Sequence, residues 1–201
     1  MTSMEFSEEL RDACQEIANI AVGLAGDKIA RSFDTFVQLP IPQVHLIEAA
    51  DVQMVLAATV AEDTVTAVTQ AFFGSGISGE ALLLFSDASM ADLSALMGYQ
   101  AQENQQAELV LEMASLLNGS CIQGFCSQLD IAVLLKHPTI CGQAVAIADI
   151  FGEQGFPWSQ TLAIELNYVF EGYDVCCDLV LLFHEESLTT LFDTIQLLIG
   201  D

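Results

Sequence analysis

The chain has 201 residues, 53% of them apolar and 16% charged, which is ample material for a core and excludes intrinsic disorder. Its 28 acids stand against 4 bases, a formal charge of −24. Arg11, Lys28, Arg31 and Lys136 are too few to neutralise a nucleic-acid backbone or to hold an anionic membrane, so a basic partner surface is the class left open.

The periodicity predicts one long helix from Glu5 to about Phe33, with Ser7 as its N-cap and Glu8 and Glu9 in its first turn. Leu10, Ala13, Cys14, Ile17, Ile20, Ala21 and Leu24 form its apolar stripe. Pro40 and Pro42 close this region, and Val44–Ile47 reads as a strand. Val68–Phe73 and Ala81–Phe85 read as two strands joined by the turn Gly74–Gly79, followed by a short helix Ser89–Met97 that Gly98 can cap. The order then restarts: a long helix Gln105–Leu129, a strand Ile131–Leu135, Pro138, a strand pair Thr161–Phe170 and Asp174–Phe183, and a closing helix Ser187–Ile199.

The stretch Leu82–Met90 repeats in kind at Val180–Leu188, 98 positions on. Both are an apolar strand ending in Phe, a polar link and a helix start. The sequence therefore reads as one domain of two pseudo-repeats, approximately 5–98 and 101–200, too long a period for a solenoid. Tight strand–strand turns imply antiparallel pairing. The expected fold class is α/β: a two-layer, mostly antiparallel sheet carrying two long helices related by pseudo-symmetry.

On the first helix Asp12, Glu16 and Asn19 fall within an arc of roughly 60°, about 130° away from the apolar stripe. Gly23 falls inside the same arc, an interior glycine that weakens the helix unless something must approach closely. Ninety-six positions on, the second helix carries Glu108, Glu112, Ser115 and Gly119, and Pro42 recurs as Pro138. A polar outer face is ordinarily just solvated, but a duplicated one has no packing reason to persist. Ser115 stands where the first copy has Asn, a side chain about one bond shorter and with fewer hydrogen-bonding groups.

The six cysteines, at 14, 121, 126, 141, 176 and 177, lack Cys-x-x-Cys spacing, and vicinal Cys176 and Cys177 would point to opposite faces of a strand. They are expected to be reduced and packed as small hydrophobes, as in a cytoplasmic protein. No basic segment followed by an apolar run opens the chain, and no apolar run approaches the ~18 residues of a membrane span, so neither a secretory signal nor a membrane is expected. His45, His137 and His184 share no face and no short spacing, and no metal site is expected.

The series Asp12-x3-Glu16-x2-Asn19-x22-Pro42, with Glu16-Ile17-Ala18-Asn19-Ile20 at its centre, resembles the signature of the CheC/CheX/FliY family of chemotaxis phosphatases. Ala18 stands where that family has Gly. The turn Gly74–Gly79 is similar to the family's Gly-x-x-x-x-Gly connection, and the two-copy length is closer to CheC than to CheX. The resemblance implies a phosphatase acting on the phospho-aspartate of a CheY-like response regulator. It assigns Glu16 and Asn19 to the reaction and Asp12, Gly23 and Pro42 to partner binding or support. Glu108, Glu112, Ser115, Gly119 and Pro138 would form a second, degenerate site. The protein would need no cofactor of its own, since the receiver domain supplies Mg²⁺. The alternative the resemblance leaves open is a non-catalytic adaptor that grips a receiver or the receptor deamidase CheD.

Overall fold

A computed structural model describes residues 6–60, 64–99, 106–150 and 158–200. Helix α1 (Glu8–Phe33) starts on the expected signal: the Ser7 hydroxyl accepts from the Leu10 amide at 3.2 Å. Glu8 and Glu9 fill its first turn and Arg31 its last, each charge opposing the helix dipole. Residues 5 and 105, where the two long helices were expected to begin, lie outside the described residues.

After α1 come β1 (Val37–Gln38), β2 (Gln43–Glu48) and, past a 3-10 turn, α2 (Val52–Thr59). The first hairpin, β3 (Val65–Gly74) and β4 (Ile77–Ser86), is longer than its predicted strands. Its connection shrinks to Ser75 and Gly76, at positive φ of 49° and 81°, as a two-residue type I′ turn requires. Gly79 thus belongs to β4 rather than to a loop. A Cβ there would collide with the Leu182 carbonyl and the Phe72 ring, so glycine permits the close strand packing. Helix α3 (Asp87–Leu96) is capped by Ser86 rather than started by Ser89.

The second half runs α4 (Gln106–Gln128), β5 (Leu134–Leu135), β6 (Thr139–Val145), α5 (Ile147–Ile150), β7 (Gln160–Phe170), β8 (Val175–His184) and α6 (Glu185–Ile199). The expected strand Ile131–Leu135 pairs only through its last two residues, because the chain leaving α4 first turns through Asp130 at positive φ. The short β1 and α5 were not anticipated, and α2 and β6 carried too little pattern to be. Among the described residues of α2 only Val52 and Leu56 are buried, and β6 is an exposed, irregular edge with register shifts against β3.

The sheet runs β1-β7-β8-β4-β3-β5, with β2 also on β7 and β6 also on β3. Every described pairing is antiparallel. In the central β4–β8 pair Leu82 faces Val180, its equivalent 98 positions on, so a pseudo-twofold axis passes between them. Each half lends an edge strand to the other: β2 pairs with β7, and β6 with β3. The architecture is therefore the expected α/β one, an antiparallel sheet carrying two long related helices.

Those helices cover one face of the sheet, over Val68, Phe72, Leu83, Phe85, Ile164, Leu181 and Phe183. The opposite face buries Leu82, Leu84, Ala163, Val180 and Leu182 beneath Val52 and Leu56 of α2 and Ile147 and Ile150 of α5. Burial on both sides is why the central strands read as unbroken apolar runs. Helix α1 meets α4 through small residues: a Cβ on Gly124 would lie 3.1 Å from the Ala21 Cα. Lys28 and Ser32 late in α1 share a cavity with Glu112 and Ser115 early in α4, so the two helices run antiparallel. Among the described residues α4 alone is long and apolar enough to cross a membrane, and 72% of its most apolar window is buried in this core.

Candidate functional site

The first stripe stands open along α1. Asp12, Glu16 and Asn19 are exposed, and Gly23 is half-buried. Asp12 pairs with Arg11 at 3.5 Å, and Arg11 also reaches Glu8 at 3.6 Å, exposed contacts of little energetic weight. Glu16 and Asn19 make no hydrogen bond or ion pair among the described residues. A carboxylate and a carboxamide are thus held on a 26-residue helix with their hydrogen-bonding capacity unspent.

Two residues read as core are not. Ile20 and Leu24 are 41% and 54% exposed. They sit on the solvent side of the apolar stripe, beside Glu16 and Gly23, while α1 meets the core through Leu10, Cys14, Ile17, Ala18, Ala21, Val22, Ala25 and Ile29.

The second stripe is partly closed by the chain itself. Glu108, Glu112 and Ser115 are exposed, but Gly119 is buried, which corrects its expected place on an open stripe. A Cβ there would meet Leu135 at 3.6 Å. The equivalent leucine of the first half, Leu39, packs on Gly26 instead. In α4 that position is Ile122, which is buried, and Leu135 lies over Gly119. The Tyr99 hydroxyl donates to Glu112 Oε2 at 3.2 Å. The negative charge of Glu112 raises the Tyr99 hydroxyl above its ordinary value, so the tyrosine is a neutral donor. Tyr99 and Glu112 line a cavity of about 460 Å³ with Lys28, Ser32, Phe33, Met97, Ser115 and Leu116. Nothing in the spacing announced Tyr99, which approaches α4 from the loop after α3.

Asn118, three positions beyond Ser115, is fully buried, with no hydrogen-bond partner among the described residues for either side-chain polar atom. It is a core residue and cannot stand in for Asn19. Pro42 is buried at the entry to β2 and Pro138 half-buried at the entry to β6, positions where a fixed φ and a missing amide cost a strand little.

All six cysteines are free thiols. Burial pushes Cys14, Cys121 and Cys126 up to about 12 and holds Cys177 well above the ordinary thiol value, so these are packing groups rather than nucleophiles. Cys121 Sγ lies 2.8 Å from the buried Tyr168 hydroxyl. No group of His, Cys, Asp and Glu among the described residues could hold a metal ion.

Neither family models nor curated protein sequences match this chain. Solved structures do. The structure of Thermotoga maritima FliY aligns over 96% of this chain and 98% of that one, with TM-score 0.69 and 16% identity. A CheC-like protein from Shewanella sp. PV-4 aligns over 84% and 97%, at TM-score 0.56 and 10% identity. The Helicobacter pylori FliM of a FliM–SpeE complex aligns over 95% and 96%, at 0.61 and 9%. The chain has the CheC/CheX/FliY fold. The FliM middle domain shares this CheC-like fold, so the fold by itself leaves the chemistry to the side chains.

Proposed function

We propose that this chain is a phosphatase that hydrolyses the phospho-aspartate of a CheY-like response regulator in chemotaxis or two-component signalling. The observation that carries the reading is the pair Glu16 and Asn19, exposed and unpartnered on one rigid helix of a CheC-like fold. An acyl phosphate is already activated, and the Mg²⁺ of the receiver neutralises its phosphoryl oxygens. What the partner must add is a water in line with the P–O bond to the aspartyl leaving group. The Asn19 carboxamide can hold that water as donor or acceptor without a shifted pKa. Glu16 pairs with the lysine of the receiver pocket and fixes α1 across it, and Asp12 adds a contact at the edge. Positioning of this kind contributes several kcal/mol to a barrier.

The second reading is an adaptor that holds a receiver, or CheD, without hydrolysis. The closed second stripe favours it for α4, where Glu112 is already engaged and Ser115 replaces the amide. The deciding experiment follows the decay of phosphorylated receiver with and without the protein. Acceleration supports the phosphatase. Binding with unchanged decay supports the adaptor.

A further inference from the structure

Gly23 lies in the interior of α1, where glycine weakens a helix relative to alanine. Its φ is not positive, and a Cβ built on it meets no atom within 4 Å. Nothing inside the fold therefore requires glycine at this position. Gly124 and Gly26 differ, since added Cβ atoms there would press on Ala21 and Leu39.

The free space over Gly23 is bordered by the exposed Ile20 and Leu24. Ile20 lies one turn beyond Glu16 and Leu24 one turn beyond Ile20, on adjoining faces of the helix. The equivalents on α4 are Leu116, half-buried, and Ser120, buried, so the apolar flank belongs to the open stripe alone. Glu16 beside it is an uncompensated acid.

We infer that Ile20, Gly23 and Leu24 form the apolar half of the receiver-docking surface. Gly23 lets the partner backbone or a bulky side chain approach α1, and the two aliphatic side chains are buried on contact. This rests on the reading of the partner as a receiver domain. Glu16 selects the lysine-bearing pocket, and anything seated with that lysine on Glu16 must cover Ile20 and the space above Gly23. The flank thereby sets which receivers fit, because an aliphatic patch beside the pocket is rewarded and a charged one is excluded.

The test sets stability against affinity. The probes are the receiver domains of the same organism, each loaded with beryllium fluoride and Mg²⁺. Gly23→Ala is expected to raise Tm by about 2–4 °C and to weaken receiver binding at least ~10-fold. Ile20→Ser and Leu24→Ser, at positions 41% and 54% exposed, should lower Tm by no more than about 4 °C and weaken binding several-fold, roughly in proportion to the apolar area each loses. A raised Tm with unchanged affinity overturns the inference. So does a lowered Tm, which would mean that the fold itself uses Gly23. If wild type binds receivers without accelerating their dephosphorylation, the phosphatase reading fails while the docking inference is still decided by these variants. If wild type binds none, both fall.

Discussion

The two long helices descend from one pattern and end in different states. On α1 the acid and amide are unpartnered, Gly23 is open above, and aliphatic side chains flank them. On α4 the matching carboxylate receives a hydrogen bond from Tyr99, the glycine lies under Leu135, and the amide has become Ser115. The degree of wrapping differs accordingly: α4 buries thirteen of its 23 residues and α1 nine of 26. A duplicated stripe in sequence is thus not a duplicated surface. What decides between them is a handful of contacts made by loops, chiefly where Leu39 and Leu135 settle.

Asn19→Ala should separate the two helices most strongly. Loss of the water-orienting group should lower the rate of receiver dephosphorylation by ~10²-fold, about 2.7 kcal/mol of barrier, with folding unchanged because the residue is exposed. A variant that keeps half the wild-type rate would show that α4 catalyses as well as α1.

Next comes Glu16→Lys, which sets like charge against the receiver lysine and should weaken binding by about tenfold or more. The loss should exceed that of Asn19→Ala, measured by titration against a receiver loaded with beryllium fluoride. Equal affinity of Glu16→Lys and wild type would remove Glu16 from the interface.

Stability offers an independent reading of the same asymmetry. Asn118 occupies the position of Val22 ninety-six residues earlier, and both are buried. Because the amide of Asn118 has no partner, Asn118→Val should stabilise the chain by about 1–3 kcal/mol, read from denaturant unfolding. A destabilised variant would show that the amide is satisfied and used.

The smallest expected effect is on α4 itself. Ser115→Ala should change turnover little. Ser115→Asn combined with Tyr99→Phe, which frees Glu112, should raise it at most about twofold if the two helices act independently, and Ser115→Asn alone by less, since a ~1 Å misplacement can cost ~10²-fold. A Ser115→Ala loss equal to that of Asn19→Ala would make the second helix a full partner.

Much of this was legible in the residues. Ser7 and the first-turn acids announced the start of α1, the 96–98 residue period announced two halves, and helical spacing alone aligned Asp12, Glu16 and Asn19. These signals are local, so chain order suffices to read them. The α2 helix and the β6 edge were not legible, because one anchors through two residues and the other alternates on an irregular, exposed strand.

Tertiary structure decided the rest. A hydrophobic residue states that burial is favourable but not whether a neighbour exists to provide it. That is why Ile20 and Leu24 read as core and stand in solvent, while Gly119 read as surface and lies buried. The strand exchange between halves and the antiparallel meeting of α1 with α4 likewise join residues some hundred positions apart. The sequence by itself determined which groups each helix presents. Only long-range packing, which among the described residues places Tyr99 and Leu135 on one stripe and no distant side chain on the other, determined which groups remain free to meet a partner.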